Sequence, residues 1–199
     1  MKIRPLSIAG AWEIVPVQHG DPRGLFLEWY RVDQLAAEVG HPLRLAQGNM
    51  SVSARGVVRG IHYADVPPGQ AKYVMCTRGA VWDVVVDLRT GSPTFGHAEG
   101  VQLDDRDRRA VYIGEGLGHG FCALTDDATL TYLCSETYNP QGEHGVHPLD
   151  PDLAIQWPVP EPQLSARDAA APTLAASLAS GVLPKWDVCE QYTQSLRTH

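Results

Sequence analysis

Short apolar runs dominate the middle of the chain and predict β-strands. The run over residues 80–88 is rich in β-branched residues and is bounded by Gly79 and by a turn sequence over residues 89–93. Further runs follow at short spacing, over residues 110–113, 120–124 and 128–135. Clusters of glycine and aspartate separate these runs. Many short strands without intervening helices favour a mainly β fold, either a sandwich or a barrel.

Helix signals are few. Asp33 is predicted to cap a helix over residues 34–39, which Gly40 closes. A second short helix is predicted from about residue 173 to about residue 178, within a helical C-terminal tail that begins near residue 170. The sequence contains no repeat and no domain linker, so we expect residues 1–199 to form one domain.

Period-two alternation directs two polar side chains into the predicted core. In the run over residues 128–135, Tyr132 shares a face with Leu130 and is predicted to point inward. In the run over residues 71–77, Lys72 lies on the same face as Val74. An inward-pointing lysine needs a hydrogen-bond acceptor or a lowered pKa.

Three cationic or protonatable side chains, Arg59, His62 and Lys72, lie close together among the apolar runs of residues 56–76. Strands of a buried core rarely carry such groups. Burying them is costly unless an anionic group meets them. This stretch therefore predicts the wall of a cavity that holds an anion.

Composition and charge limit the classes of ligand. The chain has 199 residues and a formal net charge of -7, which argues against nucleic acid but permits an anionic small molecule in a locally positive pocket. None of the four cysteines forms a C-x-x-C pair, so we expect them to be reduced. The first residues lack the apolar core of a signal peptide, and no run approaches the roughly 20 apolar residues of a membrane span. We expect a cytoplasmic protein that binds neither nucleic acid nor a membrane.

The histidines raise the alternative of a metal-dependent cupin. Residues 114–119 resemble the second cupin motif, in which a glycine-bounded turn presents a histidine, here His119. The first cupin motif has two histidines one residue apart, whereas this chain has only His62 at that place. A stable site for iron, manganese or zinc needs three or four ligands. His144 and His147 lie in a predicted loop, so the pattern favours chemistry without a metal.

Seven short motifs, spread over most of the chain, carry a family resemblance. They are DPRGLFLE at 21–28, QGNMS at 47–51, VRGIHY at 58–63, QAK at 70–72, DLRTGSPTFG at 87–96, GHGF at 118–121 and LSARD at 164–168. In this order and spacing they resemble the dTDP-4-dehydrorhamnose 3,5-epimerase family of nucleotide-sugar epimerases. The resemblance runs from about residue 3 to about residue 185.

The resemblance implies a cupin-type jelly-roll β-barrel that works as a homodimer, without a metal or another cofactor. It implies a dTDP-4-keto-6-deoxyhexose as the substrate. The segments at 67–73 and 147–153 look most like those of members that serve antibiotic deoxysugar pathways. The implied activity is epimerisation at C3, at C5 or at both carbons during deoxysugar biosynthesis.

Epimerisation beside a ketone needs a base, a stabiliser for the enolate oxygen and an acid on the opposite face of the sugar. By resemblance, His62 is the base, and Asp168 is the carboxylate that fixes its tautomer. Lys72 is the stabiliser of the enolate oxygen, and Tyr132 is the acid. Imidazole ordinarily titrates near about pH 6.5, which suits proton abstraction at neutral pH.

The remaining candidate residues match substrate-binding positions of the family. Arg23 and Arg59 fall on phosphate- and nucleotide-binding positions, where an arginine fork suits phosphate oxygens. Tyr138 falls where the family stacks an aromatic ring on thymine. The other matching residues are Phe26, Glu28, Gln47, Asn49, His119, Glu143 and Arg167. In the family, residues near 23–28 reach the site of the partner subunit.

The chain departs from the family pattern at three positions. Gly48 stands where many members carry aspartate, and Arg167 stands for a common lysine and keeps its charge. Gly114 stands where proline is usual, and we expect it to loosen the turn that precedes His119.

Two other functions compete with epimerisation. A 3,4-ketoisomerase of dTDP-sugars would use the same scaffold, although the matches at Lys72 and Tyr132 favour epimerisation. A noncatalytic cupin that binds a sugar nucleotide would not need the proposed base and acid.

Overall fold

The predicted strands lie at the centre of two antiparallel sheets. A computed structural model describes residues 1–198, and its strands are numbered in chain order. The six-stranded sheet contains β1 (Lys2–Pro5), β2 (Ala11–Val15), β5 (Gln47–Ser53), β7 (Lys72–Arg78), β10 (Ala110–Ile113) and β12 (Ala128–Cys134), in the order β1-β2-β10-β7-β12-β5. The five-stranded sheet contains β6 (Val58–Ala64), β8 (Ala80–Val86), β9 (Ala98–Asp104), β11 (Gly118–Ala123) and β13 (Glu143–Gly145), in the order β13-β6-β11-β8-β9. A separate hairpin contains β3 (Gln18–Asp21) and β4 (Gly24–Leu27).

One helix packs against the six-stranded sheet, and three helices lie in the C-terminal part of the chain. They are α1 (Val32–Val39), α2 (Ala166–Ala169), α3 (Leu174–Ser180) and α4 (Trp186–Arg197). A 3-10 turn covers Pro151–Leu153. The short helix predicted near residue 173 is α3, because the Thr173 side chain accepts a hydrogen bond from the backbone N–H of Ala176 and so caps its first turn.

The predicted start of α1 is wrong by two residues. The N-cap position belongs to Arg31, and its side chain makes no capping hydrogen bond. Asp33 lies inside the first turn, where its carboxylate pairs with the Arg31 guanidinium at 2.6 Å and complements the positive end of the helix dipole. Gly40 ends the helix in the left-handed conformation, as predicted.

The main apolar cluster fills the space between the two larger sheets. Val74 and Leu130 contribute to it from the six-stranded sheet, and Val85 and Phe121 contribute from the five-stranded sheet. The prediction of a mainly β sandwich or barrel is therefore confirmed. The described helices pack outside this space.

A second cluster covers the outer face of the six-stranded sheet. Tyr73 and Tyr112 pack there with Leu35 of α1. Since successive residues of a strand point to opposite faces, Lys72 is directed away from this cluster and into the space between the sheets. The sequence-based orientation of Lys72 is confirmed.

A third cluster covers the outer face of the five-stranded sheet. Ile61 and Tyr63 pack there with Leu174 of α3. His62 lies between these two residues in β6 and therefore faces the opposite way, into the space between the sheets.

The structure also bears on the expected state of the cysteines and on the expected absence of a membrane span. All four cysteines are buried and free. Within residues 1–198, no helix has both the length and the apolar character needed to cross a membrane.

Gly114 makes a close contact with a distant part of the backbone. Its backbone N–H donates a hydrogen bond to the carbonyl of Gly10 at 2.8 Å. A Cβ atom at residue 114 would lie only 2.8 Å from that same oxygen. The glycine therefore permits a close contact between the β10–β11 turn and the chain near residue 10.

Gly60 permits the close passage of β6 and β11. Its φ is +125°, and a Cβ atom at this position would lie 2.5 Å from the Cα of Gly120. The strand pairing shifts register between His119 and Phe121, and beyond this irregularity His62 is the Cα partner of His119. The approach of the two backbones thus brings two histidines to adjacent positions on one wall.

We expect Gly60→Ala to lower the free energy of unfolding by about 2–4 kcal/mol, because an added methyl group meets backbone and the positive φ is strained. Gly48→Ala is the matched control, since its Cβ would meet nothing within 4 Å. Urea unfolding at equal m-values measures both variants. Equal stability of the two variants would contradict the packing role of Gly60.

Candidate active site

His62 and Asp168 form a hydrogen-bonded pair although they lie 106 residues apart. The Nε2 atom of His62 is 2.7 Å from Oδ1 of Asp168. Asp168 belongs to the first turn of α2, where its backbone N–H donates to Oγ of Ser165 at 3.0 Å. The His62 side chain is 35% exposed and that of Asp168 is 6% exposed, so the ring faces the cavity and the carboxylate lies behind it.

The carboxylate of Asp168 remains ionised at neutral pH. Burial alone would raise its pKa, but hydrogen bonds from His62, Ser165 and the Gly60 backbone, together with the charge of His62, bring the pKa below its ordinary value. An ionised carboxylate only accepts hydrogen bonds. It therefore fixes the ring proton of His62 on Nε2 and leaves the lone pair on Nδ1.

A second histidine–carboxylate pair adjoins the first. The Nε2 atom of His119 lies 2.7 Å from Oδ2 of Asp83, and the exposed fractions of the two side chains are 9% and 0%. Within residues 1–198, the other carboxylate oxygen of Asp83 is buried without a hydrogen-bond partner. Sequence reasoning missed Asp83. The available signal was a single acid in a β-branched run, on the same face as Val81 and Val85 of the main core.

Lys72 and Tyr132 lie on the opposite wall, on β7 and β12 of the six-stranded sheet. Burial lowers the pKa of Lys72, and the influence of Cys134, Glu143 and Asp83 opposes this shift. Glu143 and Asp83 belong to the five-stranded sheet. Lys72 therefore responds electrostatically to charges on the facing wall.

The phenol of Tyr132 packs against the main apolar cluster, as alternation predicts. Burial raises its pKa, Cys134 and Glu143 raise it further, and Arg59 opposes the shift. The hydroxyl therefore keeps its proton at neutral pH.

Arg59 lies at the edge of this space, and none of the ion pairs described for residues 1–198 involves it. Its Nε donates to the Ser53 hydroxyl at 3.1 Å, and its Nη2 donates to the Val52 carbonyl at 3.4 Å. Both partners are neutral, and they orient the guanidinium without neutralising it.

Gln47, Asn49 and Tyr138 form a connected polar group on the side of β5. The Gln47 amide donates to the Asn49 carbonyl oxygen at 2.8 Å and accepts from the Tyr138 backbone N–H at 2.8 Å. The ring of Tyr138 remains exposed. On the other sheet, the Arg167 guanidinium reaches the backbone carbonyl of Glu143 at 3.5 Å.

Three predicted binding residues lie apart from this group. Arg23 and Phe26 occupy the β3–β4 hairpin, and Glu28 follows it. Arg23 pairs with Asp21, and Glu28 pairs with Arg31. None of the hydrogen bonds or ion pairs described for residues 1–198 joins these three side chains to His62.

Three histidines, His62, His119 and His144, each pair with one carboxylate. Within the part of the chain that the structure describes, no group of three or more His, Cys, Asp or Glu side chains is placed to hold a metal ion. His144, predicted to lie in a loop, belongs to β13, and its Nε2 is 2.8 Å from Oδ1 of Asp65.

An oriented imidazole that faces a partly buried lysine and a partly buried phenol is suited to moving protons on carbon. The fold and the site therefore define an acid–base enzyme on a cupin-type scaffold. The chain belongs to the dTDP-4-dehydrorhamnose 3,5-epimerase family, whose sequence profile matches residues 5–176.

Relatives and solved structures agree on this family. The chain is 64% identical to a dTDP-4-dehydrorhamnose 3-epimerase of Streptomyces niveus, over 97% of this chain and 93% of that one. It is 59% identical to a dTDP-4-dehydrorhamnose 3,5-epimerase of Mycolicibacterium smegmatis, over 99% and 98% of the two chains. The structure of ChmJ, a 3'-monoepimerase from Streptomyces bikiniensis in complex with dTDP-quinovose, superimposes with a TM-score of 0.95 at 53% identity, covering 98% of this chain and 99% of that one.

We expect Asp168→Asn to reduce thermal stability at pH 7, with a loss that shrinks as the pH falls below about 4. The reason is that folding depresses the pKa of Asp168. Its stabilising effect is therefore complete above the unfolded pKa and disappears as the pH falls through the lower folded pKa. Thermal unfolding across this range, with exposed Asp126→Asn as the control, measures the effect. A loss that grows with acidification would contradict this account.

Proposed function

We propose that the protein epimerises a dTDP-4-keto-6-deoxyhexose at C3, at C5 or at both carbons, in deoxysugar biosynthesis. The observation that carries the proposal is the His62–Asp168 pair at 2.7 Å, which faces the wall formed by Lys72 and Tyr132. Relatives of 64% and 59% identity are a 3-epimerase and a 3,5-epimerase respectively, which supports the substrate class and leaves both regiochemical outcomes open. Four free, buried cysteines suit a reducing compartment, so we place the reaction in the cytoplasm.

In the proposed reaction, His62 removes a proton from the carbon next to the C4 ketone. The lone pair on Nδ1 takes the proton, and the ring becomes an imidazolium. Asp168 stabilises this cation through the hydrogen bond at Nε2. The carboxylate is a positioning and stabilising group and does not itself take the proton.

Side chains on the opposite wall then stabilise and protonate the enolate. The Lys72 ammonium donates to the developing oxyanion at C4, where a preorganised charged donor is most effective in a dry cavity. Tyr132 delivers its proton to the carbon from the other face. Because the base and the acid belong to facing sheets, removal and return of the proton take place on opposite faces, and the configuration inverts.

The remaining residues are assigned to the nucleotide and its diphosphate. Arg59 offers an uncompensated guanidinium to the diphosphate. The exposed ring of Tyr138 offers a stacking surface for thymine. The side chains that we assign to hydrogen bonds with the sugar and the phosphates are those of Gln47, Asn49, His119, Glu143 and Arg167.

We assign Arg23, Phe26 and Glu28 to the site of a second copy of this chain in a homodimer. Phe26 is 66% exposed on a hairpin that extends from the sandwich, which is a high exposure for a phenylalanine. Met50 and Val52 are also exposed, on the edge strand β5 beside Asn49. A partner that covers β5 and inserts its hairpin would bury these side chains and complete the site.

Incubation with dTDP-4-keto-6-deoxyglucose in D₂O, followed by NMR, tests the chemistry. We expect deuterium at C3, at C5 or at both carbons, and a loss of roughly 10²–10⁴-fold in exchange rate for His62→Ala. Tyr132→Phe should lose the inverted product more severely than it loses exchange, because the base remains. Retained dTDP binding, measured by calorimetry, shows that each variant is folded.

The same experiment separates the competing functions. A 3,4-ketoisomerase would yield a product whose ketone has moved to C3. A noncatalytic binder would hold the nucleotide sugar without exchange at either carbon. Either result with the wild-type protein would overturn the epimerase proposal.

Mixing two inactive variants tests the shared site. We expect Arg23→Ala and His62→Ala to be impaired separately, and an exchanged mixture to recover about a quarter of the wild-type activity, since half the dimers are then mixed and each has one intact site. Sedimentation measures whether the protein is a dimer. In the control mixture, the surface variant Arg55→Ala takes the place of Arg23→Ala. A mixture no more active than its components would place Arg23 outside the partner's site.

A further inference from the structure

A second cavity lies on the outer side of the six-stranded sheet, whereas His62 and Lys72 face the space between the sheets. Its walls come from β2 and β10, from the turn that follows β10, and from one face of α4. The α4 side chains in this wall follow the spacing of a single helix face, and they belong to Trp186, Glu190, Thr193 and Arg197. The cavity has a volume of about 330 Å³, which is large enough for a small organic ligand.

Glu115, in the turn after β10, places a carboxyl group in the wall of this cavity. Only 6% of the residue is exposed. None of the ion pairs described for residues 1–198 involves Glu115, and no other residue in that range donates a hydrogen bond to its side chain. Nearly buried carboxyl groups normally have a partner. A ligand that carries a positive charge or a hydrogen-bond donor would satisfy this one.

Tyr112 provides a second unpaired polar group beside Glu115. Both residues line the larger cavity and also a smaller, adjoining one of about 90 Å³. The Tyr112 hydroxyl is buried without a hydrogen-bond partner among residues 1–198. Glu136, after β12, and Tyr192 of α4 line the smaller cavity, and neither supplies a positive charge. The groups at this junction are therefore acidic or neutral.

The cations that line the larger cavity do not neutralise Glu115. Arg89 donates two hydrogen bonds of 2.8 Å to the carboxylate of Asp87, which compensates its charge. Burial lowers the pKa of His41, so its ring is neutral at pH 7. Arg197 lies near the exposed C-terminal end of α4 and donates to a backbone carbonyl at the end of α1 at 3.4 Å.

The rest of the cavity wall suits an organic cation. Glu190 supplies a second carboxylate from α4. Trp12 and Trp186 supply aromatic surface, and the faces of aromatic rings attract cations. A metal ion is a poorer match, because no group of three or more His, Cys, Asp or Glu side chains within residues 1–198 is placed to hold one.

We propose that this cavity binds a small organic ammonium ion, whose cationic group pairs with the Glu115 carboxylate and whose carbon skeleton packs against Trp12. Glu190 faces the same ligand from α4. This inference goes beyond the proposed epimerase reaction, because none of the residues assigned to that reaction lines the cavity.

Binding of 2-phenylethylammonium chloride tests the proposal, with 2-phenylethanol as the neutral analogue of the same shape. In calorimetry at pH 8, we expect the wild-type protein to bind the amine saturably with a Kd of about 1 mM. The alcohol should bind at least about tenfold more weakly, because it lacks the charge. Saturating dTDP should not displace the amine, since the active site lies between the sheets.

Glu115→Gln removes the charge with little change in shape. We expect this variant to lose roughly 10–100-fold in affinity for the amine, the equivalent of a hydrogen bond to a charged group, and to keep its affinity for the alcohol. Thr193→Phe narrows the cavity from α4 and should weaken the binding of both compounds. The exposed Glu161→Gln is the matched control and should bind like the wild type. Thermal unfolding shows that each variant is folded.

The affinity should depend on pH with a definite sign. Burial raises the pKa of Glu115 to about 7, a hydrogen bond from its own backbone N–H opposes this shift, and the charge of Glu136 adds to it. The amine stays protonated below about pH 9 and pairs with the ionised carboxylate. Binding to the wild type should therefore strengthen roughly tenfold between pH 6 and pH 8. Glu115→Gln should lose this dependence, whereas a dependence caused by His41 would persist.

Four results would overturn the inference. The wild type might bind the amine no better than the alcohol, or Glu115→Gln might bind the amine as tightly as the wild type. Displacement of the amine by dTDP would place it in the active site instead. Tighter binding of 3-phenylpropionate than of the amine would assign the cavity to an anion held by Arg197.

Discussion

The placement of Lys72 between the two sheets is the constraint on which the rest of the site depends. A lysine between two sheets loses its proton unless nearby groups favour the cation. The groups that do so are Cys134 on the same sheet, which has the largest effect, and Glu143 and Asp83 on the facing sheet. Packing of the two sheets is therefore more than a source of hydrophobic stability. It also brings the acidic side chains of Glu143 and Asp83 close enough to favour the cationic form of Lys72.

The backbone has to be compatible with this arrangement. His62 and His119 become Cα partners because β6 and β11 pass each other at two glycines. Their carboxylate partners come from different elements, Asp168 from α2 and Asp83 from β8. The two histidine–carboxylate pairs thus need a close strand crossing, a short capped helix and an acid within a core strand to be present together.

Sequence reasoning succeeded where the side-chain period alone determines direction. Alternation placed Lys72 and Tyr132 inside the sandwich, because their neighbours on the same face are apolar core residues. It did not identify β5 as a strand. In β5 the usual pattern is reversed, since Gln47 and Asn49 line the polar site while Met50 and Val52 are exposed. A strand that lines a polar cavity and has an apolar outer face gives no ordinary hydrophobic signal.

Contacts between residues far apart in the sequence could not be predicted from side-chain periodicity or from composition. The pairing of His62 with Asp168 was expected only from the family resemblance, because the number of residues between them carries no geometric information. The pairing of His119 with Asp83 was not expected at all, since Asp83 interrupts a run that otherwise predicts a fully buried strand.

The two histidine–carboxylate pairs have the same hydrogen-bond distance and differ in burial. Both Nε2–Oδ distances are 2.7 Å. The His62 ring is about one third exposed, whereas His119 and Asp83 are almost completely buried. A base must reach a carbon atom of the substrate, which requires an accessible ring nitrogen. The more exposed pair is therefore suited to proton abstraction, and the buried pair is suited to holding its imidazole in one orientation. Equal hydrogen-bond distances at unequal depth favour His62 over His119 as the proposed base.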